Sequence, residues 1–226
     1  MTSPISSLLS GDITGFLLNI LYLLPAIVIA LSFHEAAHAW MANRMGDPTA
    51  KNLGRLTLDP TKHFTLFGVI TFLLIGFGWG KPVPTNPRNY TNYKKGNVLV
   101  ALAGVTTNLI LSFVFYLIYF LLIVFGVENT IVLMIIINIV YINIILCFFN
   151  LIPIPPLDGH HLVKGFIARR SQKFYFAYMR YGYFVLLGLI FIPRFISIIP
   201  NIFTLYLGTM AGLVLNAYSW FFGLFI

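Results

Sequence analysis

Acidic side chains are scarce in this chain: its 226 residues include only 6 Asp and Glu against 14 Lys and Arg. Charged residues of either sign make up 9%, while 59% are hydrophobic and 16% aromatic. So few charges exclude an ordinary soluble domain and place the chain among integral membrane proteins. The net charge of +8 would suit a nucleic-acid binder. The basic residues instead gather in short loops between apolar runs, the pattern of positive-inside orientation, and this excludes nucleic acid as a partner. The single cysteine, Cys147, lies within an apolar run, which excludes a disulfide framework and leaves a buried, inert thiol. No Lys or Arg precedes Arg44, so the basic leader of a cleaved signal peptide is missing and the first apolar segment is expected to stay. Internal repeats, long linkers and low-complexity tracts are also missing, and the polar connections are too short for a soluble domain. One integral membrane domain is expected over residues 1–226, with a core over about 13–170 and C-terminal helices over about 175–226.

Apolar runs long enough to span a bilayer cover roughly 13–43, 97–126, 131–151, 175–192 and 196–225. The fold class is therefore an all-α polytopic membrane protein with about five to six transmembrane helices. A further run, Phe64 to Trp79, is short, rich in Phe, Ile, Val and Thr, and interrupted by Gly68, Gly76 and Gly78. It is expected to be non-helical, with β geometry the candidate. Residues 1–43 carry no Lys or Arg, whereas 44–62, 81–95 and 164–180 are basic. The positive-inside rule then puts the N-terminus outside, these three loops inside and the connection at Glu128 outside. Because basic loops flank Phe64–Trp79 on both sides, that run should enter and leave on the cytoplasmic face. Such a re-entrant segment needs protein or a watery cavity beside it.

The first span contains "HEAAH", residues 34 to 38. Positions four apart share a helix face, so His34 and His38 can present two imidazoles to one metal ion with Glu35 alongside, the arrangement of zinc hydrolases. Counting back from Arg44 by helix rise, His38 lies about 9 Å and His34 about 15 Å from the cytoplasmic anchor. Ionisable groups at that depth are costly and point to function.

A catalytic zinc usually takes three protein ligands and water, so a third ligand is needed. Asp12, Asp47, Asp59 and Glu128 fall in loops, where solvated or capping roles are expected. That leaves Asp158, in "NLIPIPPLDGHH", where Pro153, Pro155 and Pro156 stop the helix. The chain is expected to run extended there and carry Asp158 to the depth of the histidines. Capping of the next helix is the competing role for Asp158, and His160 and His161 are rival ligands. Asn108 and Asn150 are amides inside apolar spans, suited to bridging helices or to binding substrate. His63 reads as a loop or interface residue.

Together with "HEAAH", the stretches "GDPTAKNLGRLTLDPTKH" (46–63), "GFGWGKPVPTNPRNY" (76–90), "LAGVTTN" (102–108) and "NLIPIPPLDG" (150–159) resemble the site-2 protease family of intramembrane zinc metalloproteases. The resemblance runs from His34 to about Asp158 and is to the short bacterial members without a PDZ domain. Val105 stands where family members commonly have proline. The resemblance implies one zinc ion per chain held by His34, His38 and Asp158. It also implies Glu35 as the catalytic glutamate, with Asn108 and Asn150 as polar residues near the site, and Asn150 is counted with Glu35 among the expected catalytic residues. The expected partners are the lipid bilayer and a membrane-protein substrate, with the active site toward the cytoplasmic side of the cell membrane. Two competing functions are a metal-ion transporter, which would favour inverted repeats, and a catalytically silent scaffold, which would have lost Glu35 or a ligand.

Overall fold

A computed structural model describes residues 4–75, 78, 80–195 and 201–225. Five of its helices are long and apolar enough to cross a membrane: α2 (Ile13–Arg44), α6 (Tyr93–Val124), α7 (Thr130–Leu151), α9 (Gln172–Phe195) and α10 (Ile202–Gly223). Between and before them lie the short helices α1 (Pro4–Leu9), α3 (Thr49–Asn52), α4 (Pro60–His63), α5 (Leu66–Ile75) and α8 (His160–Arg170). The chain is thus an all-α, multi-pass membrane protein. The spans follow the expected runs closely, although residues 196–200 of the last run lie outside the described residues.

Polar residues start these helices. Asp12, Asn92, Asn129 and Asn201 each accept a hydrogen bond from a backbone N–H in the first turn of α2, α6, α7 and α10 respectively. Such caps satisfy donors that an apolar helix cannot serve with its own side chains. Just beyond the end of α2 comes Gly46, whose φ of +101° and whose approach to Thr91 and Asn89 leave no room for a β-carbon.

α2, α6 and α7 pack together as the core, with α10 against α7 and α6, and α8 against α9. The packing inverts that of a soluble protein. Leu109, Ile110, Val114 and Leu121 point outward on α6, while the same helix buries Gly104, Asn108 and Ser112. On α2 the fully buried side chains are Ala26, Ala30, Ala39 and Ala42. Small residues let helices approach closely, and buried amides find partners across the gap, which is how helices associate without a hydrophobic drive between them.

Two expectations about local geometry need correction. The run after Phe64 forms a helix, α5, rather than a strand, because an apolar segment must satisfy its own backbone groups and a helix does so within one turn. Its flanks do come back together: Phe64 and Gly80 form an isolated antiparallel bridge, and Lys81 N donates to His63 O at 2.7 Å. Gly76, Phe77 and Trp79 lie outside the described residues. The second correction is that the proline-rich stretch after α7 is not extended. It coils in tight turns, with Leu157 N donating to Ile154 O (2.9 Å) and Gly159 N returning to Asn150 O (2.6 Å). Prolines cannot extend the helix, and the N–H groups that remain fold back onto the carbonyls it leaves open. A β-carbon on Gly159 would stand 2.3 Å from Leu151 O, so only glycine allows this return.

Candidate metal centre

The coiled stretch after α7 delivers Asp158 to the two histidines of α2. His34 Nε2 and His38 Nε2 are 3.0 Å apart, and Asp158 Oδ2 lies 3.1 Å from the first and 3.2 Å from the second. These three atoms form a nearly equilateral triangle.

The protons can be placed from the hydrogen bonds. His38 Nδ1 faces the carbonyl of Val100 at 2.7 Å, which can only accept, so Nδ1 carries the proton. Asn108 donates its Nδ2 to Ala30 O (3.0 Å) and to Asn143 Oδ1 (2.8 Å), which turns its Oδ1 toward His34 Nδ1 at 2.6 Å. His34 Nδ1 must therefore donate as well. Asn143 is itself fixed by donating Nδ2 to Ile139 O at 2.8 Å. With the rings neutral, both Nε2 atoms are then bare lone pairs, and they face the carboxylate oxygen of Asp158, which is buried without a hydrogen bond. Three acceptors held this close need a cation among them. Ligands of a tetrahedral zinc at ~2.0–2.1 Å stand about 3.3 Å apart, close to the triangle seen here, so the residues fit zinc.

Glu35, on the same turn, gives the triangle no ligand atom. Its Oε2 accepts the N–H of Val83 at 2.8 Å, and it is 9% exposed. It opens with His34, His38 and Asp158 onto a cavity of about 240 Å³ that Val83, Asn150 and His161 also line. Asn150 borders the cavity while donating Nδ2 to Leu146 O, one turn back on α7, at 3.1 Å. His160 points away, toward Leu157 O at 2.6 Å. His161 receives Lys164 Nζ at Nδ1 (2.8 Å), and burial, with His160 and Lys164 beside it, holds its pKa below the ordinary histidine range. Neither His160 nor His161 joins the triangle. His63 is fully buried but ends α4, where its Nε2 donates to Thr57 O at 2.8 Å.

Three contributors were not anticipated. Asn143 is fully buried and orients Asn108, and it is an amide inside an apolar span just as Asn108 is, so the same signal could have found it. Gly104 lies one turn before Asn108 on α6. A β-carbon there would stand 2.5 Å from His34 Cε1 and 2.6 Å from His38 Nε2. Asp47, expected to be a solvated or capping residue, is 0% exposed. Burial alone would raise its pKa, but hydrogen bonds from Thr49, Asn86 and Asn89 outweigh that and hold its carboxyl below its ordinary range. Of the other acidic residues, Asp12 caps α2 and Asp59 caps α4.

A polytopic helical protein with a His-His-Asp centre buried between spans and a glutamate beside it belongs to the class of membrane metalloproteases. Comparison with known proteins specifies it further: the family model for peptidase family M50, the site-2 protease family, matches residues 22–135 and 124–192, and the chain belongs to that family. The chain is 36% identical over 177 residues to the Bacillus subtilis protein named "Putative zinc metalloprotease YwhC", covering 76% of this chain and 81% of that one. It is 29% identical over 152 residues to "Putative zinc metalloprotease Rip2" of Mycobacterium tuberculosis, covering 65% of this chain and 57% of that one. No solved structure matches the chain.

Proposed function

We propose that this metalloprotease is an intramembrane endopeptidase that hydrolyses peptide bonds within or next to the transmembrane segments of membrane proteins. The observation that carries this reading is the triangle of His34 Nε2, His38 Nε2 and Asp158 Oδ2, lying between membrane-crossing helices with Glu35 beside it. Zinc, when bound there, supplies a Lewis acid that polarises a carbonyl and lowers the pKa of water toward ~7.

The chain's own residues supply the rest. Asn108 and the Val100 carbonyl hold the ligand rings in the tautomer that leaves Nε2 free. Glu35 Oε2 is engaged by Val83 N–H, so Oε1 is the oxygen open to take the proton of an attacking water and return it to the leaving amine. Asn150, on the cavity wall, would donate its second amide hydrogen to a bound peptide. The basic loops around the site favour the cytoplasmic side for this chemistry by the positive-inside rule, so cleavage is expected in the cytoplasmic third of a substrate span, where helix-weakening residues ease access to the backbone.

The test is to measure zinc stoichiometry and cleavage of a membrane substrate for Glu35→Gln, His34→Ala and Asp158→Ala. Glu35→Gln should keep its zinc and lose ~10²–10⁴-fold in rate, whereas the other two should bind zinc weakly. Substantial turnover by Glu35→Gln would sink the assignment.

A further inference from the structure

The stretch Lys81–Asn86 (KPVPTN) borders the cavity without regular secondary structure. Pro82 and Pro84 have no N–H, so no ladder of backbone hydrogen bonds can zip it into a sheet. Of its four remaining N–H groups, three donate outside the stretch: Lys81 to His63 O (2.7 Å), Val83 to Glu35 Oε2 (2.8 Å) and Asn86 to Asp47 Oδ2 (2.6 Å).

Both ends are held by buried charges that lack a counterion. Arg55, 6% exposed, donates Nη2 to Lys81 O at 2.6 Å. Asp47, 0% exposed, accepts Asn86 N, Asn89 Nδ2 (2.8 Å), Thr49 N (3.1 Å) and Thr49 Oγ1 (2.5 Å). Ion pairs among the described residues involve only His34, His38 and Asp158. Burying an ion without a partner is costly, and here only hydrogen bonds offset the cost. Asp47 is also fastened to α2, the helix of Glu35, by Asp47 N donating to Ala42 O at 2.9 Å. One helix therefore grips the stretch at two points, through Glu35 and Asp47, while Arg55 holds its other end.

We propose that Asp47 and Arg55 are positioning residues: they fix Lys81–Asn86 so that the Val83 N–H holds the Glu35 carboxylate toward the His34–His38–Asp158 centre. The proposal rests on Glu35 being the base. Neither Asp47 nor Arg55 need touch substrate. In Asp47→Asn the new NH₂ group must face one of the donors that the carboxylate now accepts, and in Arg55→Met the Lys81 carbonyl loses its donor.

The experiment uses the full-length, zinc-loaded protein. It compares wild type with Asp47→Asn, Arg55→Met, Arg55→Lys and the milder Asn89→Ala, which removes one hydrogen bond from Asp47 and no charge. Three quantities are read: zinc content, kcat and KM on a membrane substrate, and hydrogen exchange at the Val83 amide, which stands alone between two prolines. Asp47→Asn and Arg55→Met should keep their zinc, exchange Val83 about tenfold faster, and lose kcat by up to ~10²-fold with KM little changed. Arg55→Lys should restore most of kcat and Asn89→Ala should fall between. Wild-type kcat in the first two variants, a loss confined to KM or zinc, or unchanged Val83 exchange would overturn the proposal. If those two variants do not fold, Asn89→Ala and Arg55→Lys decide it by the same readouts. If wild type cleaves nothing, the protease reading fails instead, and Val83 exchange still decides the clamp.

Discussion

Gly104→Ala offers a test of the candidate metal centre that alters none of its proposed ligands. The added methyl would stand 2.5 Å from His34 Cε1, 2.6 Å from His38 Nε2 and 2.7 Å from His34 Nδ1. Carbon atoms in ordinary contact lie ~3.5–4.0 Å apart, so the overlap approaches an ångström against both rings. The rings cannot retreat without loss. His38 is tied to Val100 and His34 to Asn108, and both partners sit on α6 with Gly104, so pushing the rings away from α6 breaks both bonds. Overpacking of this kind costs ~1–3 kcal/mol in stability. Loss of the bonds that orient a ligand lowers metal affinity ~10–100-fold, or about 1.4–2.7 kcal/mol. The assay is zinc affinity by chelator competition, with thermal unfolding of the metal-free and zinc-loaded protein alongside. Gly208→Ala and Gly212→Ala on α10, where nothing lies within 4 Å of an added β-carbon, serve as controls. They should be neutral or gain up to ~1 kcal/mol from better helix propensity. Wild-type zinc affinity in Gly104→Ala would refute the close packing of α6 on the two rings.

Asn108→Ala should weaken zinc binding ~10–100-fold by removing the acceptor for His34 Nδ1, and Asn143→Ala should do so less, since it acts through Asn108; equilibrium dialysis against a chelator measures both. With Cys147 replaced, cysteines placed at Lys62 and Arg88 should both label from the cytoplasmic face with an impermeant reagent, and labelling from opposite faces would show that the segment between them spans the membrane. The carboxyl of Asp47 is held below its ordinary range, so its contribution to stability is complete above about pH 4 and is lost as pH falls through the folded-state value. Unfolding followed from neutral to acid pH should therefore show a shallower acid-side loss in Asp47→Asn than in wild type.

The spans could be read because lipid accepts so few residue types: α2, α6 and α7 coincide with uninterrupted apolar runs, and His34, Glu35 and His38 stood out against such a run. Asp158 could be reached by elimination, since the chain has so few acidic residues. Other features depended on contacts between distant segments. The β-branched residues of α5 suggested a strand, but the need to satisfy every backbone group overrode that preference. The turns that bring in Asp158 depend on Gly159 passing within reach of the last carbonyls of α7, a closeness that no local pattern announces. Asp47 sits in a polar loop and resembles a solvated residue until Asn86 and Asn89 close over it.

The buried polar network has a consequence for how the protein is made. His34, Glu35 and His38 lie on the first membrane-crossing helix, while Val83, which donates to Glu35, Asn108 and Asp158, which face the histidines, and Asn143, which orients Asn108, are translated later. α2 therefore enters the membrane with its ionisable face unmatched, at a cost of about 2.5–3.5 kcal/mol for a central acidic residue. Its 32 residues exceed the ~20 that a bilayer requires. That surplus would let a newborn helix sit shallower, with "HEAAH" nearer the headgroups, before α6 and α7 are made. The length of α2 thus offers slack during biogenesis, which shortening its N-terminal end would remove.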